Sequence, residues 1–451
     1  MIRRLLTIIL ATALAFTMTA CGGSSNEEKN KDPNTSQGGN NSGDNQNSDS
    51  QGPEKVTSPI TIDFWHTFGS GYQAEYMTDA VKRFNESNEY GITVNATYIG
   101  SYGTLRSQLT TSIGAQDNPQ VAILGMSDIL ASAGVLADMQ LYVDRDEFPM
   151  DGVLDGVKTS MYYEGQLTAM PFARSATMFY YNVDMFKDAG YDTAPTTIDE
   201  MVEACKAVAK KNGNYGFEMQ IDMSFYQEAL LLSLGAEGLI DEDKQGASCL
   251  EDGTFLKMLS DWKSWIDEGW CAAPPVSDGT NAMYQAMYSG NLAACFASSA
   301  SLSTLIEYGK ESGVNIAAAP MPTYSGLGGV GGGGDISIIA ANNNDQQIAA
   351  SWEFVKFLMS DEEVANRSKQ TGYLPTSTGA AELMADFFEA DSNMKAAYEA
   401  RLVCEDVPGC TQRSEWQTQA ATACSYVIQD KSMSPEEAVE YLKGLLSTVF
   451  Y

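Results

Sequence analysis

Residues 325–339, "SGLGGVGGGGDISII", hold seven glycines in the nine positions 326–334, with Asp335 directly after. Glycine lets a backbone turn tightly or approach a ligand closely, so Gly333 and Gly334 are candidates to offer amides to a solute. A carboxylate beside those amides would repel a phosphate but suits paired hydrogen bonds from sugar hydroxyls. The run lacks the Lys-Ser/Thr of a nucleotide loop, and it precedes a strand where such a loop follows one. Hydrolysis of a glycan needs two carboxylates at a set separation. The chain has 59 acidic residues, but no motif marks a pair. One histidine and no G-x-S-x-G leave a serine hydrolase without support, and one histidine excludes a Cys₂His₂ zinc site. The expectation is a binding protein with no catalytic residue, metal or cofactor.

Alternating elements must position that loop. "ITIDFWH" reads as a strand ending at His66, and "YQAEYMTDAVKRFNES" as an amphipathic helix. "ITVNATYI" is a strand, "YGTLRSQLTTSIGA" a helix opened by Tyr102, and "QVAILG" a buried strand followed by Asp128. Ligands of parallel α/β sheets sit beyond the carboxyl ends of strands, so Asp128 reads equally as a ligand contact or as a helix cap. "TMFYYN" is a strand, and Thr197 and Glu200 form a capping-box signature before "MVEACKAVAKK". "LAACFA" and "VNIAAAPMP" are further strands, and helices dominate after "ISIIAA". Repeated βα units predict a parallel-dominated α/β fold in more than one domain.

The N-terminus stands apart. Residues 1–21 join a basic start to a short apolar run ending at Cys21, as in a lipoprotein signal whose cysteine is lipidated. Residues 22–58 are almost all small or polar and read as a disordered tether, reaching about 30 Å root-mean-square. A tether of this length suits a Gram-positive surface. The formal charge of −32 argues against nucleic acid and against peripheral binding to anionic lipid. Seven cysteines remain beyond Cys21, and Cys404 and Cys410 are close enough in sequence to close a small loop.

In order, "FWHTF" (64–68), "YIGSYGTL" (98–105), "MPFARSATMFYYN" (170–182), "MYSGNLAACFASSASLSTLIEYGK" (287–310), "GGGGDISII" (331–339) and "KQTGYLPTS" (369–377) resemble the solute-binding lipoproteins of ATP-driven (ABC) importers. The likeness is to the sugar-binding group, and within it to the glycerol-3-phosphate binders. It implies a two-lobed, type II periplasmic-binding-protein-like α/β fold with a helical C-terminal tail. Lobe one would take 59–174 and 298–332; lobe two, 175–297 and 333–451. The chain would cross near Arg174–Ser175, near Ser298–Ser299 and at the glycine run. The resemblance implies ligand contacts at Tyr102, Asp128, Ser175, Ser298, Gly334 and Tyr373, with Arg413 as an approximate match to a phosphate-facing arginine. Arg174 and His66 are further candidates from position. The group's "GWQGW" tryptophans are missing here, where the chain reads "QIDMSF", and its "GLRLGN" becomes "PGCTQRSEW". These departures and Asp335 favour a sugar over a glycerol phosphate. The implied partners are that solute, the transmembrane permease subunits and the membrane through the lipid anchor, for an extracytoplasmic monomer.

Overall fold

Strand β6, Met170–Asn182, explains the architecture. Its residues are almost all buried; its first half pairs with β12, and its second half is paired on both edges, with β9 and β10. In this computed structural model, which describes residues 53–450 apart from 70, 244, 406, 408 and 409, β6 belongs to two sheet regions at once.

The other strands are β1 (Ile60–His66), β2 (Ile92–Tyr98), β3 (Val121–Leu124), β4 (Tyr162–Tyr163), β5 (Gln166–Leu167), β7 (Phe217–Glu218), β8 (Cys271–Ala272), β9 (Ala294–Ser298), β10 (Ile316–Thr323), β11 (Gly326–Gly328) and β12 (Gly331–Ile338). The main path runs β2-β1-β3-β12-β6-β9-β7-β8, with β10 pairing β6 and β11. The amino-terminal part of β6, up to Ala176, pairs antiparallel with β12, and from Thr177 it pairs with β9 and β10. β1 lies parallel between β2 and β3, and β7 lies parallel between β8 and β9. The sheet is therefore mixed rather than parallel-dominated. The parallel βα units are local, while β6, β9, β10 and β12 meet antiparallel.

Two halves result, each with its own cores. In the first, Ile62, Phe64, Val121 and Phe172 pack with Ile336, Trp352 and Phe354. In the second, one cluster joins Phe179, Phe217, Trp262 and Trp416, and another joins Met178, Leu302, Leu305 and Ala397. This corrects the expected division. Residues 302–323 pack with the second half, and Ile336 to Leu358 with the first, the reverse of the assignment implied by the resemblance. The chain does not cross at Ser298–Ser299. It passes between halves along β6, at the glycine run, and between Leu358 and Leu374, where Val364, Ala365 and Leu374 join a second-half core and Tyr373 the first-half core.

Local signals hold where they are strong. Thr197 and Glu200 form a reciprocal capping box on the helix Ile198–Asn212. Among the described residues, the named elements after β12 are all helices, the last being Pro435–Val449. The glycines themselves, expected to precede a strand, form β11 and the start of β12.

The signal, Cys21 and most of the tether lie outside the described residues. The tether's expected end does not, and it is packed. Val56 is buried in the first-half core, Arg145 donates to the Glu54 carbonyl at 2.9 Å, and Gln346 bonds Thr57 and Lys55. Cys404 and Cys410 pack in separate clusters, and Cys410 is in no disulfide, so the small loop is not closed. Among the described residues, no helix is long and apolar enough to cross a membrane.

Candidate ligand-binding site

The strands that pass between halves also floor a cavity of about 800 Å³. Register slips between Gly334 and Asp335, so that Gly334 faces Ala173 and Asp335 faces Pro171. The slip brings Asp335 beside Arg174, whose Nη2 donates to Oδ1 at 2.5 Å and also to the Ser160 hydroxyl. Both side chains line the cavity and both are buried. Asp335 is thus not the open carboxylate expected from sequence, because Arg174 answers its charge.

The glycines serve packing as much as approach. A methyl on Gly332 would collide with the Phe225 ring, and one on Gly334 with the Tyr102 ring. Gly333, at φ +116, would drive a Cβ into the Ala173 carbonyl, a backbone conformation strained for any side chain. Gly333 is exposed to the cavity. Gly334 is buried under Tyr102 and does not line it.

The first half supplies one wall. Ser101 caps the helix Tyr102–Ala115 and directs Tyr102 onto the floor. Burial pushes the Tyr102 phenol up, with the hydroxyls of Thr67 and Tyr373 opposing. Tyr373 stacks on Phe68 at 5.2 Å and 9°, leaving its other side toward the cavity. Asp128 lines the same wall. Arg106 reaches across, with Nη1 donating to the Gly125 carbonyl at 3.3 Å and Nη2 to the Ser414 hydroxyl of the second half at 3.4 Å. The hairpin β4–β5, with Glu164 and Gly165 at positive φ in its turn, holds Tyr162 and Tyr163 at the rim.

The second half supplies the other wall. Phe225 and Tyr226 start the helix Tyr226–Ser233, and Ser224 donates to Asp222 at 2.7 Å. Ser298 ends β9 and accepts from the Ala300 amide at 3.2 Å. Arg413 opens the helix Arg413–Ile428 and donates to Glu228, a wholly buried carboxylate that also accepts from the Leu239 amide at 3.0 Å. The Arg413 Nη1 is buried without a hydrogen-bond partner among the described residues.

Of the sequence candidates, Tyr102, Asp128, Arg174, Ser175, Ser298, Gly333, Asp335, Tyr373 and Arg413 line the cavity. His66 does not. Its ring is buried between Phe64 and Tyr98, Nδ1 accepts from the Phe68 amide at 3.2 Å, and burial lowers its pKa to about 4. Sequence reasoning missed Arg106, Tyr162, Tyr163, Phe225 and Tyr226. Only the "EG" turn at 164–165, between two short apolar runs, could have flagged the hairpin. Six aromatic residues line the space with three arginines and four carboxylates. Rings to stack on and many hydrogen-bonding groups suit a polar solute with apolar faces.

The fold is shared with solved binding proteins. UgpB from Mycobacterium tuberculosis, in complex with glycerophosphocholine, superposes with a TM-score of 0.76 at 18% identity, covering 87% of this chain and 98% of that one. The GacH receptor of Streptomyces glaucescens, solved unliganded and with acarbose, gives 0.75 at 20% identity, covering 87% and 99%. In sequence, the sn-glycerol-3-phosphate-binding periplasmic protein UgpB of Brucella melitensis is 25% identical over 353 residues, which is 72% of this chain and 77% of that protein. The profile of one family spans residues 79–396, most of the described body, and the chain belongs to that family, the bacterial extracellular solute-binding proteins.

Proposed function

We propose that the chain captures a sugar-class solute in the cavity between its halves and delivers it to the permease of an ABC importer, without chemical turnover. The observation that carries this is the pairing of charge within the site. Arg174 is answered by Asp335 and Arg413 by Glu228, so the two deepest cations are already neutralised. What remains toward the ligand is hydroxyls, amides, the rings of Tyr102, Phe225 and Tyr373, one further cation, Arg106, and the carboxylates of Asp128, Glu164 and Asp222, which outnumber it and disfavour an anion. Closure of the halves about β6, the glycine run and the stretch between Leu358 and Leu374 would enclose the solute, as hinged domains do. Lipidation at Cys21 would hold the protein, as a monomer, at the outer face of the membrane of a Gram-positive cell. Release of Cys21→Ser into the medium supports the anchor, and equal retention of wild type and variant argues against it.

The second reading is a glycerol phosphodiester, or glycerol-3-phosphate itself. It is favoured by the unpartnered Arg413 Nη1 beside the cavity and by what the UgpB relatives are named for. A thermal-shift screen of the full chain decides between them. A ligand at a hundredfold excess over its Kd stabilises by about 2.7 kcal/mol. Shifts with sugars and none with glycerol phosphates support the first reading. Shifts confined to glycerol phosphates replace it with the second. Tyr373→Ala should weaken the ligand in either case, and normal binding by that variant would misplace the site.

A further inference from the structure

A second hollow, of about 530 Å³, lies next to the cavity in the second half, and Asp222 and Tyr226 line both. One wall is the helix Arg413–Ile428, which begins at the cavity with Arg413. Thr418, Ala421, Thr422 and Ser425 face the groove, at spacings that share one helical face. The helix thus runs from cavity to groove, and twelve residues from Arg413 to Ser425 rise about 18 Å. The opposite wall is the loop holding Pro275 and Val276. Gln429 ties the walls together by donating to the carbonyls of Pro274 and Pro275 at 3.0 and 3.1 Å.

The chemistry of the groove matches a sugar chain. The Thr418 hydroxyl donates to the Ser414 carbonyl at 2.9 Å and that of Thr422 to the Thr418 carbonyl at 2.8 Å. With those protons committed, the hydroxyl oxygens are left as acceptors for hydroxyl donors. Val276, 80% exposed, and Pro275 offer an apolar strip at the rim. Among the described residues, no lysine or arginine lines the groove, so nothing described there calls for an anion. We infer that the solute is an oligosaccharide longer than a disaccharide, seated by one end in the main cavity and continuing past Asp222 and Tyr226 along this groove. This rests on the sugar reading above and narrows it to a class.

The test is calorimetric titration of the full chain with gluco-, xylo- and manno-oligosaccharides of increasing length, alongside sn-glycerol-3-phosphate and glycerophosphocholine. Affinity should rise about tenfold from the disaccharide to longer members of the series that binds, the value of one or two added hydrogen bonds. Thr422→Trp fills the groove and should remove that gain while leaving disaccharide affinity unchanged. Val276→Asp, on the exposed loop, should reduce the gain without unfolding, and the melting temperature of each variant checks its fold. A disaccharide that binds as tightly as every longer sugar overturns the inference and leaves the sugar reading standing. Longer sugars that bind more tightly, with a gain that both folded variants retain, also overturn the groove as their seat. Binding only of glycerol phosphates, or of no solute in the panel, overturns the sugar reading and the inference with it.

Discussion

His66 and Glu218 occupy corresponding places in the two halves. β1 lies between β2 and β3, β7 lies between β8 and β9, and each residue is the last of its strand. Both are buried, but one is a base and the other an acid. His66 sits among rings and is pushed down to about 4 by burial. Glu218 faces Ala272 and Cys295 in the ladder, accepts from Gln220 at 2.7 Å, and is pushed up to about 7 by burial. Burial favours the neutral form of each, so the two groups respond to pH in opposite directions. For Glu218 the folded state holds its proton to higher pH than the unfolded state. Its contribution to stability is therefore lost as pH rises from about 4.5 to about 7. For His66 the unfolded state binds the proton first, so stability is lost as pH falls from about 6.5 to about 4.

The sharpest way to break this comparison is to give the second half an unpaired charge. Glu228, unlike Glu218, has an arginine partner. Glu228→Ala leaves Arg413 buried and uncompensated, and should cost about 3 kcal/mol or more in denaturant unfolding. A loss below about 1 kcal/mol would mean that the pair contributes little. The next effect is that of Glu218→Gln, which keeps an acceptor for Gln220 but removes the titration. Its melting temperature should exceed that of wild type at pH 8 by on the order of 2 °C and match it at pH 4.5. Equal melting temperatures at both pH values would refute the burial cost of Glu218. The smallest is His66→Gln, which should flatten the decline between pH 6 and pH 4.5 and leave pH 8 unchanged. An unaltered acid limb would assign that decline to other groups.

Legibility in the sequence followed the range of the interaction. β1 and the helix Tyr102–Ala115 were readable because alternation and caps are local. β6 was read only in its second half, since Pro171 masks a first half whose ladder partner, β12, is distant in sequence. The exchange of segments between halves was unreadable from period or propensity, because strand pairing and core packing decide it over separations of more than a hundred residues. Nine of the eleven ligand candidates reached the cavity. The two that did not were displaced by close packing: Gly334 lies under Tyr102, and His66 lies among rings. Nothing in the sequence marked Phe225 and Tyr226 for the site, and the fold turns them toward the floor.

The glycine floor has a consequence for how this protein can diverge. Gly332, Gly333 and Gly334 each sit where a methyl group would strike Phe225, the Ala173 backbone or Tyr102. Substitution at these three positions is therefore costly, and a saturation library should return them nearly unchanged. The rings above it are free to vary so long as they still fit against bare backbone. New solute preferences would then arise by exchanging what rests on the strand, while the strand persists as a template shared by descendants with different diets.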